Sequence, residues 1–372
     1  MQILINCSNL KVGGGLQVAD SVCRMLNRFS KHNFIVVLSY SLSNTYQAIK
    51  EYGNVNSYCY NIRNNFRTLV FGRDTFLDSL VNEKKIDVVV TIFGPSRWSP
   101  KCAHLCGFAR PHLVLVDSPY FKRFTGLRKL KMKVSHKILE YYFKRSSKFL
   151  YTENPYISEK LQKLIPNSVI YTVTNYYNQI YDIPIKWKEH KLPDFNGVTL
   201  LTITAPYPHK NLPIMIKVAK YIKRFYSNFN FRFVLTINKS DFPEIPSDLE
   251  KHFLFIGKVD ISECPSLYKQ ADVMFQPTLL ECFTATYPEA MRMGVPIVTT
   301  DLEFARGLCG DAALYYEPLD AEAAAEAIYK VSTDKIIKEQ LIGKGLIQLQ
   351  QYDTYVQRAE KLISIAEKIV NN

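Results

Sequence analysis

The sequence predicts an α/β protein built from two doubly wound parallel sheets, and three observations carry that prediction. Short apolar runs alternate with amphipathic stretches, and one run, IDVVVTIF at 86–93, is apolar almost without interruption, as a parallel strand covered on both faces must be. The alternation stops over 174–193, where aromatics and two prolines (Pro184, Pro193) replace any period, and then starts again. The chain has 372 residues, more than one domain usually holds.

In order, residues 2–6 read as a strand, and 16–29 as a helix with apolar residues at 16, 19, 22, 23, 26 and 29. Strand 34–39, helix 73–82, strand 86–93 and shorter strands at 112–116 and 149–152 complete the first half. The boundary places one domain at 1–178 and the second at 179–354, with a helix over about 355–372 that can pack back on the first domain. The second half gives strand 198–204, helix 212–225, strands 231–237 and 253–257, helix 265–270 and strand 272–276. A helix ending at 293, strands 296–300 and 313–316 and an alanine-rich helix from 321 follow. In such sheets ligands bind at the carboxyl ends of the strands, and two Rossmann-like domains facing each other would hold them in the cleft.

Composition removes several function classes. Hydrophobic residues at 47% and charged residues at 22% are globular values, without the charge runs of disorder. No window is apolar enough for a spanning helix, and the opening MQILIN lacks the basic leader and cleavage site of a secretory signal, so a cytoplasmic protein is expected. The eight cysteines are scattered through apolar runs, which fits reduced thiols. Cys102-x-His104-x-Cys106 is the one hint of a metal, yet it lacks a fourth ligand, and no Asp-x-Asp occurs; the expectation is no metal.

Certain positions carry chemistry. Gly14 and Gly15 lie between the first strand and the first helix, where a helix N-terminus offers free N–H groups to an anion, or where glycines merely make a turn. Lys210 follows the first strand of the second half and can neutralise a phosphate as a point charge. Thr286-x-x-Glu289 reads as a capping box, with Pro288 tolerated in the first turn. Glu281 precedes that helix and has no such structural work; it can project from the strand end while the following amides face an anion.

The order of strand, Pro-x-Lys-Asn loop, Glu281-x7-Glu289, PEAMRMGVPIVTTD and GDAALYYEPLDAEAAAEAI resembles retaining glycosyltransferases of family 4, which have the GT-B fold. The match is strong over about 200–330; in the first half it rests on the glycine loop, Tyr151-Thr152-Glu153 and the architecture. The resemblance implies that Glu281 contacts hydroxyls of the donor sugar, Glu289 the ribose and Lys210 the diphosphate. It places the amides of Phe283 and Thr284 on the distal phosphate and has Gly14 and Gly15 close over the phosphates. It further implies a UDP- or GDP-sugar donor, no cofactor, and front-face transfer with retention, the leaving phosphate deprotonating the acceptor. Resemblance to bacterial enzymes of surface polysaccharide, capsule and O-antigen synthesis makes a polyprenyl-linked saccharide the acceptor.

This chain departs from that pattern in places. Ala205 stands where many relatives have an arginine of a two-cation phosphate clamp, which His209 or another arginine would replace. Cys282 and Thr284 replace small residues and would narrow the sugar pocket. His112 and Asp117 are the candidates on the acceptor side, near a strand end.

The net charge is +13, and ten of the Lys and Arg residues fall in 121–148 against the single acid Glu140. There Leu127, Leu130, Val134, Ile138 and Tyr141 recur at helical spacing beside Arg128, Lys129, Lys131, Lys133 and Lys137. A basic helix at 124–146 of this kind either rests on an anionic membrane surface, making the protein peripheral on the inner face, or turns its stripe to the core. Two other functions compete: a GT-B nucleotide-sugar epimerase and, remotely, a nucleic-acid binder, which the scarcity of aromatics within the basic stretch disfavours.

Overall fold

In the computed structural model, residues 1–371 are described, and the chain divides into two compact units. Unit 1 comprises Met1–Val116, Phe124–Asn175 and the chain from Asp353; unit 2 comprises Asp117–Arg123 and Tyr176–Tyr352.

Unit 1 runs β1 (Gln2–Cys7), α1 (Gly14–Cys23), β2 (Asn33–Leu38), α2 (Ser43–Ile49), β3 (Val55–Cys59), α3 (Phe66–Phe71), α4 (Thr75–Glu83) and β4 (Val88–Thr91). It continues through β5 (Ala103–Gly107), α5 (Pro111–Val114), α6 (Gly126–Ser146), β6 (Phe149–Thr152), α7 (Pro155–Leu164) and β7 (Val169–Thr172). The seven strands pair in parallel in the order β3-β2-β1-β4-β5-β6-β7. The reversal of order at β1/β4 is the switch point of a doubly wound sheet, with α1 starting at the carboxyl end of β1. Gly13, at φ 81, makes the turn into α1; a Cβ at Gly14 would meet nothing.

Unit 2 begins its regular structure with β8 (Val198–Thr202), α8 (Ile214–Phe225), β9 (Phe231–Leu235), β10 (Phe253–Phe255), α9 (Cys264–Lys269) and β11 (Val273–Gln276). Then come α10 (Thr286–Arg292), β12 (Ile297–Thr300), α11 (Glu303–Cys309), β13 (Ala313–Tyr316), α12 (Ala321–Thr333) and α13 (Lys335–Gln348). Its six strands are also parallel, ordered β10-β9-β8-β11-β12-β13. Both units are Rossmann-like. α8 buries Ile214, Met215, Val218, Ala219 and Ile222 against the sheet, the one-sided pattern its sequence spacing predicts.

The last helix, α14 (Tyr355–Val370), returns to unit 1 and packs Leu362, Ile363, Ala366 and Ile369 into the core against β4, β5 and α1. It starts with a capping box, the Thr354 hydroxyl accepting from the Gln357 amide while the Gln357 side chain accepts from the Thr354 amide. Thr174 donates its amide and hydroxyl to Asp353 Oδ2, both at 2.9 Å. Arg358 donates to the Ser21 hydroxyl at 2.7 Å and to Asn175 Oδ1. Beside it, burial pushes the Glu153 carboxyl up to about 7, the Arg358 charge and an Asn175 hydrogen bond pulling the other way.

Several expectations change. Residues 112–116 are no strand: Pro111 occupies the first turn of the short helix α5, and the strand is 103–107, in the polar-looking run AHLCG. The helix predicted over 16–29 stops at Cys23 and passes into a 3-10 turn over Leu26–Arg28. His104 makes Nε2···Thr91 Oγ1 (2.8 Å) and Nδ1···Ser146 carbonyl (2.6 Å) contacts, and burial lowers its pKa to about 4. Both ring nitrogens are thus engaged inside the sheet. The stripe of α6 faces solvent, with Leu127 66% exposed; only Tyr142, Phe143 and Ser146 of that helix are buried, which removes the core-facing alternative.

Candidate active site

β8 and β11 are hydrogen-bonded neighbours in the middle of the unit 2 sheet, so the loops leaving their carboxyl ends must meet. The β8 loop carries Lys210 in a 3-10 turn, Pro208–Lys210, closed by Asn211 in the left-handed region at φ 53. The β11 loop carries Glu281. Lys210 Nζ lies 2.6 Å from Glu281 Oε1, and Thr278 Oγ1 donates to the same oxygen at 2.8 Å. Leu279 N donates to the His209 carbonyl at 2.8 Å, fastening one loop to the other. Glu281 is 8% exposed and therefore has structural work the sequence did not show: it neutralises a largely buried ammonium.

His209 completes the cluster, its Nε2 4.0 Å from Glu281 Oε1. Tyr207 stacks on its ring at 5.6 Å between centroids, and Tyr120 stands edge-on at 6.2 Å. Burial lowers its pKa; the Glu281 carboxylate opposes this and the Lys210 and Arg123 charges reinforce it. His209 is thus uncharged at neutral pH and is not a second cation beside Lys210. The guanidinium of Arg123 lies over the Tyr120 ring at 4.6 Å, and Ser118 Oγ, on the same short segment, donates to the Leu279 carbonyl at 2.6 Å.

The capping box expected at Thr286-x-x-Glu289 does not form. Ala285 is the N-cap, so Thr286 is already the first helical residue, and its hydroxyl pairs with Thr284 Oγ1 at 2.9 Å. Glu289 falls one position too late to reach back to the N-cap and instead points into the unit. There Tyr268 donates to its Oε2 at 3.3 Å. Burial raises its carboxyl to about 7, with the phenols of Tyr181 and Tyr268 pulling down. Among the described residues no acceptor takes the amides of Phe283 and Thr284, which precede the α10 turn. Cys282 is buried beside Glu281, and the Phe283 ring meets Tyr352 edge-on at 5.9 Å. The Gln276 amide, 1% exposed at the end of β11, and Asn211 Nδ2 have no hydrogen-bond partner in the protein.

Residues 197–334 match the model of the family glycosyl transferases group 1. The matched stretch lies wholly within unit 2. The chain is 31% identical over 98 residues to the O-antigen chain mannosyltransferase B of Escherichia coli, a stretch covering 26% of each chain. It is 23% identical over 171 residues to the phosphatidyl-myo-inositol mannosyltransferase of Mycobacterium leprae, covering 44% of this chain and 45% of that one. The chain therefore spans between about a quarter and a half of the length of these curated relatives. The sucrose-phosphate synthase structure from Thermosynechococcus elongatus superposes with a TM-score of 0.71 at 12% identity, covering 100% of this chain and 99% of that one. With its two Rossmann-like units the fold is GT-B.

The matched stretch brings together Lys210, His209, Glu281, Cys282, Phe283 and Thr284 in two touching loops, with Glu289 one helix turn further on. Gly14 and Gly15, at the start of α1, and His112, in α5, belong to unit 1; Asp117 opens the short segment that belongs to unit 2. Sequence reasoning missed Thr278, Tyr120, Arg123, Tyr181 and Tyr268, which pack on these loops and on Glu289. Thr278 was findable, three residues before Glu281 in the same loop. Tyr120 and Arg123 were not, because only tertiary packing brings residues 117–123 beside His209. Among the described residues no group of His, Cys, Asp or Glu side chains could hold a metal ion.

Proposed function

We propose that the chain is a retaining glycosyltransferase that moves a hexosyl unit from a UDP- or GDP-sugar to a lipid-linked saccharide. The observation that carries this reading is the Lys210–Glu281 pair on adjacent strand ends inside the matched stretch. The two curated relatives, both mannosyltransferases by name, support a mannosyl donor as the first to test.

In this reading the diphosphate lies against Lys210 and the free amides of Phe283 and Thr284, which stabilise the charge that develops on it without a metal. His209 donates a neutral hydrogen bond beside them. The bond from the anomeric carbon to the phosphate oxygen breaks, its electron pair leaving with the nucleoside diphosphate. The acceptor hydroxyl oxygen bonds to the same face of that carbon, and its proton passes to the departing phosphate. Glu281 holds donor-sugar hydroxyls with the oxygen Lys210 and Thr278 leave free, and Glu289 receives the ribose. Gly14 and Gly15 give the phosphates close backbone approach, with His112 and Asp117 toward the acceptor.

No described helix is long and apolar enough to cross a membrane. The exposed stripe and flanking lysines of α6 support a peripheral position on an anionic leaflet, at the cytoplasmic face in this reading. The deciding experiment screens GDP-mannose and other nucleotide sugars for thermal stabilisation, then follows transfer to a polyprenyl-linked saccharide and the anomeric configuration of the product. A donor present at 100 times its Kd adds about 2.7 kcal/mol to folding stability. An inverted product refutes retention, product formed without acceptor indicates epimerisation, and absence of stabilisation by every donor overturns the assignment.

A further inference from the structure

The helix α3 is built with unusual care for a six-residue element whose outer side is apolar. Asn65 caps it, accepting from the Thr68 amide and hydroxyl at 3.0 Å each. Gly72 ends it at φ 67, its amide donating to the Thr68 carbonyl and the Arg73 amide to that of Arg67. Arg145, from α6, donates to the carbonyls of Thr68, Leu69 and Val70 at 2.8–3.1 Å and to that of Arg97 at 2.7 Å. This scaffold holds Phe66 71% and Phe71 63% exposed, their rings edge-on at 5.7 Å, and leaves Val70 exposed as well. Exposing two aromatic rings on a braced helix works against folding unless something covers them.

Arg145 also joins this patch to α6. Its guanidinium lies 5.4 Å from the ring of Tyr141, the last residue of the exposed α6 stripe, while its N–H groups hold the α3 carbonyls. Arg145 therefore ties the backbone of α3 to the end of the α6 stripe within unit 1. Cations surround both: Arg63 and Arg67 are exposed beside Phe66, and lysines flank the α6 stripe. An apolar strip bordered by positive charge complements an anionic bilayer, whose headgroups take the charge and whose acyl boundary takes the rings.

We propose that α3 is a second membrane contact, in which Phe66 and Phe71 insert into an anionic lipid surface that α6 approaches electrostatically, with Arg145 fixing the two elements as one docking face. This rests on the peripheral-membrane reading above and adds to it a contact that salt does not screen. Charge draws the protein to the surface; the phenylalanines hold it there.

The test uses the full chain with vesicles of phosphatidylcholine and phosphatidylglycerol, at low salt and at about 1 M salt, where charges are screened beyond about 3 Å. Phe66→Ser/Phe71→Ser should lower the salt-resistant partitioning at least about tenfold, the minimum implied by losing two inserted rings. Lys129→Ser/Lys131→Ser/Lys133→Ser should lower the salt-sensitive part. Phe66→Trp should blue-shift its emission when vesicles are added. Unchanged salt-resistant binding in the phenylalanine variant, or unshifted Phe66→Trp emission on vesicles that α6 still binds, overturns the α3 contact and leaves the α6 reading standing. Loss of a solution oligomer in the phenylalanine variant would show that a second chain covers the patch, and would likewise overturn the proposal. Binding insensitive to both sets of substitutions refutes the membrane reading as a whole.

Discussion

Lys210 Nζ and Glu281 Oε1 lie 2.6 Å apart on loops that leave neighbouring strands, so neither side chain can be removed without stranding the other away from water. Breaking such a pair costs about 3 kcal/mol, most of it the desolvation of the charge left behind. Lys210→Met should destabilise unit 2 by that amount. Glu281→Gln, which keeps a hydrogen-bond acceptor for Thr278, should cost less, and the double variant Lys210→Met/Glu281→Gln should recover part of the loss. Denaturant unfolding of all three variants measures the coupling; additive losses would mean that the pair does not act as a unit.

Both single variants should also abolish most transfer. Removing one preorganised charge or donor from a site that stabilises a leaving anion commonly costs 100-fold to 1,000-fold in turnover. Glu281→Gln turning over at the wild-type rate would remove Glu281 from the proposed mechanism.

Stability should fall as pH rises from about 4.5 to about 7. The carboxyls of Glu289 and Glu153 titrate near 7 in the fold because burial favours their neutral form. Between the unfolded and folded values the native state binds more protons, so stability is full below the lower one and is lost as pH climbs through the upper. Each group accounts for on the order of 3 kcal/mol. Glu289→Gln should flatten its share, so that the variant gains on the wild type between pH 5 and pH 8 by thermal melting.

Arg358→Met should drive the Glu153 carboxyl still higher, since the guanidinium charge now pulls it down. An isotope-edited infrared or NMR titration of the carboxyl would report this; an unmoved midpoint would mean that Arg358 acts only through its bonds to Ser21 and Asn175.

Gly107→Ala should unfold unit 1. A Cβ there would stand 1.9 Å from the Ile92 carbonyl oxygen and 2.7 Å from the Tyr151 ring, and both neighbours are held inside the sheet. Gly14→Ala, where a Cβ meets nothing, is the control. Circular dichroism melts distinguish the two.

The alternation of apolar runs located most of the sheet because strands buried on both faces must be apolar throughout. It failed where other constraints governed. β3 and β7 are edge strands with mixed exposure, and β5 carries His104, whose polarity is absorbed by Thr91 and the Ser146 carbonyl. HLVLV at 112–116 looked like a strand because the window is too short to separate periods 2 and 3.6. Lys210 and Glu281 stand out in the sequence as charged residues in the loops after two apolar strands, but their 2.6 Å pairing depends on β8 and β11 being neighbours, which no spacing shows. The absence of a capping box was not legible, since a one-residue shift of the helix start turns a cap into a buried acid. The direction of the α6 stripe was also closed to sequence: spacing defines a face but does not say what covers it.

The packing of α14 sets the order in which the molecule can be completed. Unit 1 is translated first, yet Leu362, Ile363, Ala366 and Ile369 of its core leave the ribosome only after all of unit 2. Unit 2 is therefore free to finish folding while its predecessor still waits for its last helix. A nascent chain paused after Tyr352 would display the groove that α14 fills, between β4, β5 and α1, as an open apolar surface, and this interval is when the protein most needs a chaperone.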